Sequence, residues 1–119
     1  MNVKFITPVI HVSDLEKARI YYTEVLGFSV DFIFGDFLGL VMGDVAVHLC
    51  GPDNGGMRKT PGGGQFSLFC DDIDAYYAGL VAKQALISYP IGDRAYGLRD
   101  FSVDDLDGNS LVFSMDLVR

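Results

Sequence analysis

Two apolar runs, 37–42 and 45–50, stand on either side of Gly43-Asp44, and a two-residue Gly-Asp break between apolar runs is a hairpin signal. With Gly43 and Asp44 as the turn, Met42 lies opposite Val45, Leu40 opposite Val47, Gly39 opposite His48 and Phe37 opposite Cys50. Side chains alternate across a sheet, so Leu38, Leu40, Met42, Val45, Val47 and Leu49 share one face, and Phe37, Gly39, Val41, Ala46, His48 and Cys50 share the other. The first face is plain core. The second combines small residues, an aromatic ring and a histidine facing a glycine, the composition of a concave pocket wall, although a lone strand histidine more commonly serves as a hydrogen-bonded structural residue.

The same reading extends in both directions. Residues 5–12 predict a strand, with Pro8 placing it at a sheet edge or where no ladder donor is needed. Ser13-Asp14-Leu15-Glu16 predicts a capping box with Ser13 as N-cap; Leu15, Ala18, Tyr22, Val25 and Leu26 make one helical stripe, and Gly27 ends it. Strand 28–34 then pairs with 37–42 across Gly35-Asp36. A strict two-residue turn there puts Phe32 and Phe34 on the pocket face, whereas a three-residue loop sends them to the core. Glycine-rich stretches 51–56 and 61–64 flank Arg58-Lys59 and predict a flexible connection; no Gly-Lys-Ser/Thr closes them into a phosphate loop.

The second half repeats the first. A strand over 66–70 leads into the cap Asp71-Asp72-Ile73-Asp74 and a helical stripe of Ile73, Tyr76, Tyr77, Leu80 and Val81. Ser13 to Asp71 and Leu15 to Ile73 are both displaced by 58. A strand near 85–89, a loop over 90–98, and strands 99–104 and 110–117 around the turn 105–109 complete the unit, the final strand displaced by 64. The expectation is an α+β protein of two β-α-β-β-β modules in a single domain, with module one about 1–54, a connection about 55–64 and module two about 65–119. Their two sheets curl around a cleft.

Composition narrows the function. The 119 residues, 50% of them hydrophobic and 21% charged, suffice for a folded core. A net charge of −7 disfavours nucleic acid and anionic lipid, and no apolar run approaches the ~20 residues of a membrane span, so a soluble, cytoplasmic protein without nucleic-acid or membrane partners is expected. Cys50 and Cys70 lack metal-knuckle spacing and read as reduced thiols.

Val12-Ser13-Asp14-Leu15-Glu16-Lys17-Ala18, Tyr21-Tyr22, Val25-Leu26-Gly27-Phe28 and the late stretch from Phe101 through Asp104-Asp105-Leu106-Asp107-Gly108-Asn109 to Leu111 resemble the glyoxalase, bleomycin-resistance and extradiol dioxygenase superfamily, also called vicinal oxygen chelate proteins. The resemblance spans essentially the whole chain. It implies a half-open barrel built from the paired modules around a pocket, and a homodimer whose modules pair within or across chains. It also implies that metal-binding members draw one ligand from the first and one from the last strand of each module. Carried onto this chain, those positions are Thr7, His48, Gln65 and Val112. Val112 has no donor, Thr7 a neutral hydroxyl and Gln65 an amide, so no metal or other cofactor is expected. Alternation adds His11 beside Thr7, Ser67 and Phe69 beside Gln65, and Phe37, Ala46 and Cys50 beside His48 as lining residues. No residue is assigned a catalytic role. The resemblance therefore points to a metal-independent binder of a small aromatic or cationic molecule such as a bleomycin-type antibiotic, held by sequestration. A lyase, isomerase or dioxygenase with an atypical metal set on His48 is the alternative.

Overall fold

The computed structural model describes residues 1–56 and 58–117. The chain divides into two compact units, Met1–Pro61 and Gly62–Arg119. In the first, β1 (Val9–His11) is followed by α1 (Leu15–Ile20), a π-helical turn (Tyr21–Val25), β2 (Ser29–Ile33), β3 (Phe37–Met42) and β4 (Val45–Cys50). The second contains β5 (Gln65–Phe69), α2 (Ile73–Ala82), β6 (Leu86–Asp93), β7 (Leu98–Asp104) and β8 (Ser110–Asp116). Each unit forms a four-stranded sheet, ordered β1-β4-β3-β2 and β5-β8-β7-β6, so the fold is α+β and internally duplicated.

The β3–β4 hairpin has all six pairs read from the Gly43-Asp44 turn, from Phe37↔Cys50 to Met42↔Val45. Gly43 takes a φ of +56° and Gly35, opening the β2–β3 turn, a φ of +59°, a region open to glycine because it has no Cβ. The duplication is visible in strand register: Val9 pairs with His48, and Ser67, 58 residues on, pairs with Val112, 64 residues on from His48.

Each sheet buries one face. In the first unit Ile10, Leu38, Leu40, Val47 and Leu49 are at most 2% exposed, joined by Ala18, Tyr22 and Leu26 from the helical segment. In the second, Phe101 and Phe113 stack at 5.6 Å and receive Tyr76 and Tyr77 of α2 at 4.8 and 4.9 Å.

Several expected boundaries shift. β1 covers only Val9–His11; Phe5 and Ile6 lie outside it and are exposed. Asp14, not Ser13, caps α1, its carboxylate accepting from the Lys17 N–H at 2.9 Å, because an N-cap side chain bonds the amide three residues on. Asp72 precedes α2 in a left-handed conformation without a side-chain cap bond. The expected 90–98 loop is mostly strand: β6 runs through Pro90 to Asp93, since at the sheet edge a residue without an N–H costs no ladder bond and the irregular register between Tyr89 and Gly92 absorbs it. The expected flexible connection is tied at both ends. Asp36 accepts from the Gly51 and Asp53 amides, and Asn109 Oδ1 accepts from the Gly62 and Gly64 amides.

Candidate functional site

The face of the first sheet away from α1 carries an aromatic cluster centred on His48. The Phe34 N–H donates to the Phe37 carbonyl at 2.9 Å, so Gly35-Asp36 is a strict two-residue turn. The β2 register shifts between Val30 and Phe32, which sets Phe32 opposite Gly39 and, through Gly39, beside His48. Phe32 and Phe37 stack at 6.3 Å, and both rings meet the imidazole near-perpendicularly, at 5.2 and 5.3 Å. Gly39 makes this arrangement feasible: a Cβ there would lie 2.1 Å from the Phe32 ring. Phe37 and His48 are half-buried and Phe32 is 38% exposed, so the cluster is partly accessible at the surface.

The other sequence-predicted residues of this unit are more dispersed in character. Ala46 is half-buried on β4. Cys50 is 2% exposed, its Sγ 3.8 Å from the Gly51 carbonyl, which leaves no accessible thiol. Thr7 is half-buried ahead of β1. His11, at the end of β1, accepts at Nδ1 from the Lys59 amide at 3.4 Å. Its burial, reinforced by Arg58 and Lys59, holds its imidazole below the ordinary value of 6.5. The unfolded chain therefore takes up this proton first: the contribution to stability is complete above pH 6.5 and is lost as pH falls through that value toward the folded pKa. An NMR titration should place His11 below 6.5, and Arg58→Gln should move it upward.

In the second unit the corresponding open face presents Gln65, Ser67 and Phe69 on β5, all exposed, in register with Ser110, Val112 and Ser114 on β8. Its far side holds a cluster that sequence reasoning missed. Asp100 is 4% exposed and accepts from Arg94 Nε at 2.7 Å and from the Tyr96 hydroxyl. The Arg94 guanidinium lies 3.9 Å from the centre of the Tyr89 ring. The hydrogen bond to Asp100 pushes the Tyr96 phenol above its ordinary 10. A signal was present in the duplication: Tyr89 follows the same register shift in β6 as Phe32 does in β2, and Asp100 stands where Phe37 stands, because Phe37↔Cys50 corresponds to Asp100↔Ser114.

Within the first unit a separate cleft of about 240 Å³, lined in part by Leu15, Ile33 and Leu38, lies beside α1. Its Glu16 and Arg19 side chains are already paired with each other at 2.5 Å.

The metal positions implied by the family resemblance do not suit a divalent ion. Val112 offers no electron pair, Thr7 and Gln65 only neutral oxygens, and among the described residues no three His, Cys, Asp or Glu side chains gather as a ligand set.

The family model described as Glyoxalase/Bleomycin resistance protein/Dioxygenase superfamily matches residues 4–113. The chain belongs to that superfamily. Similar solved structures include the bleomycin-binding protein of bleomycin-producing Streptomyces verticillus in complex with copper(II)-bleomycin, 25% identical over 98% of this chain and 100% of that one, with a TM-score of 0.76. TioX from Micromonospora sp. ML1 is 23% identical over 97% and 100% of the two chains, with a TM-score of 0.80. The lactoylglutathione lyase of Agrobacterium tumefaciens is 17% identical over 96% and 94%, with a TM-score of 0.79. The latter two show the shared fold alone, and a superfamily that houses both binders and enzymes leaves chemistry to be argued from side chains. No curated protein matches the chain in sequence.

Proposed function

We propose that this superfamily member binds a small planar, aromatic or cationic organic molecule without a resident metal, sequestering it rather than transforming it, and does so as a cytoplasmic homodimer formed by a single domain of two modules. The observation that carries this reading is the Phe32–Phe37–His48 cluster: two stacked rings and an imidazole on a half-exposed sheet face. Aromatic faces attract planar rings and cations, and the imidazole supplies one donor and one acceptor for orientation. The net charge of −7 favours a cationic ligand, and the likeness to a bleomycin-binding protein supports an antibiotic of that type. Taken sheet by sheet, Thr7, His11 and Ala46 are the further candidate lining residues of the first, and Gln65, Ser67, Phe69 and Val112 those of the second; Cys50, 2% exposed, is too buried to line a surface site.

Titration calorimetry with copper(II)-bleomycin and with proflavine, a planar aromatic cation, tests the assignment. Saturable binding is expected, weakened about five- to tenfold by Phe32→Ala and by Phe37→Ala, with little change in the unfolding midpoint for the more exposed Phe32. Absence of heat at high ligand excess removes the assignment. Stoichiometric zinc, nickel, manganese or iron in protein purified without chelator, lost in His48→Ala, would replace it with a metal-dependent lyase, isomerase or dioxygenase.

A further inference from the structure

We infer that the open face of the second sheet contains a recognition site for a planar organic cation, a guanidinium or amidinium, which the side chain of Arg94 fills when no ligand is bound. This goes beyond the reading of the first sheet and does not rest on it.

Tyr89 provides a ring face 3.9 Å from Arg94 Cζ. The Asp100 carboxylate, nearly fully buried, accepts from Nε at 2.7 Å, while Nη2 donates to the Pro90 carbonyl at 2.6 Å and to the Asp100 carbonyl at 3.2 Å. Tyr96 holds the second carboxylate oxygen. Gly92 completes the enclosure: a Cβ there would stand 2.8 Å from Nη1. A ring face, an anion aligned with N–H groups, two carbonyl acceptors and a glycine-made recess are the features that select a flat, delocalised cation over a compact ammonium.

Besides the guanidinium's bonds to the Pro90 and Asp100 carbonyls, the turn has main-chain bonds of its own. Arg94 N–H donates to the Leu98 carbonyl at 2.8 Å and Gly97 N–H to the Arg94 carbonyl at 3.1 Å, closing the turn between β6 and β7. Tyr89 and Tyr96 are 52% and 65% exposed, so the site opens to solvent as soon as the side chain leaves. Its walls also occupy the duplicated positions of Phe32 and Phe37, the rings that make the open face of the first sheet aromatic. Arg94 thus acts as an internal competitor: an external guanidinium must displace it, and deleting it vacates the recess.

Methylguanidinium is the probe, followed through the ring signals of Tyr89 and Tyr96 by NMR. Arg94→Ala is expected to bind it saturably, at least about tenfold more tightly than the wild-type chain, with a rise in Tm that tetramethylammonium at equal concentration does not reproduce. Asp100→Asn in the Arg94→Ala background should abolish the response. Arg94→Gln, which keeps a polar stem but removes the guanidinium and its charge, serves as the second variant should the alanine form fail to fold, and the same gain is expected from it. Binding that is equal in the wild-type chain and the variant, unchanged by Asp100→Asn, or absent from the folded variants overturns the inference. Because the signals of Tyr89 and Tyr96 and the Arg94 and Asp100 variants all lie in the second unit, away from Phe32, Phe37 and His48 in sequence and in sheet, that outcome is distinct from failure of the ligand reading on the first sheet.

Discussion

Phe101→Ala should destabilise the protein by about 3–5 kcal/mol, measured as a lowered urea midpoint. Phe101 is fully buried at the centre of β7, stacked on Phe113 and flanked by both Tyr76 and Tyr77 of α2. Truncation removes the shared partner of three rings and leaves a cavity walled by rings of α2 and β8, so little of the volume can be recovered by relaxation. A loss of that size is a large share of the 5–15 kcal/mol typical of a domain. Phe32→Ala is the control: it deletes the same side chain from a surface that is 38% exposed, and its effect should appear in ligand binding instead. Similar destabilisation by both variants would mean that the aromatic face of the first sheet is core rather than a binding surface.

Asp105→Ala should cost about 2–4 kcal/mol, read as a drop in both urea midpoint and Tm. Asp105 is 2% exposed and its carboxylate accepts from the amides of Asp107 and Asn109 and from Asn109 Nδ2, each at 2.9 Å. The Asn109 amide so oriented places its Oδ1 to receive Gly62 and Gly64 N–H, at 3.2 and 2.9 Å, so one carboxylate fixes both the β7–β8 turn and the segment leading into β5. Losing the acceptor strands buried donors, which costs more than a surface hydrogen bond returns. Asp105→Asn should recover part of the loss by keeping one acceptor oxygen. If Asp105→Ala is neutral, the turn is held by its backbone alone, through the Asp105 N–H to Asn109 carbonyl bond at 2.8 Å.

These two residues also show what kind of information a one-dimensional pattern carries. The Asp-Leu-Asp-Gly-Asn stretch reads as a turn because its residue types bond their own neighbours, yet its grip on Gly62 and Gly64 crosses more than forty positions and has no local signature. The aromatic site was legible to a similar depth. Alternation put Phe37 and His48 on one face, and the two-residue Gly35-Asp36 turn admitted Phe32, but the shift in β2 that lays its ring across Gly39 is visible only in the paired strands.

Amino-acid order alone therefore determined the α+β class, the duplication, the β3–β4 register and most of the buried face of the first sheet, since turn chemistry and side-chain period act between residues near in sequence or related by a constant offset. Tertiary structure decided the rest: Asp14 rather than Ser13 at the helix cap, the continuation of β6 through Pro90, the influence of Arg58 and Lys59 on His11, and the enclosure of Arg94 by Tyr89, Asp100 and Gly92. Charge partners and ring contacts depend on distance in space, and pairing register brings residues into reach that no spacing along the chain marks as neighbours.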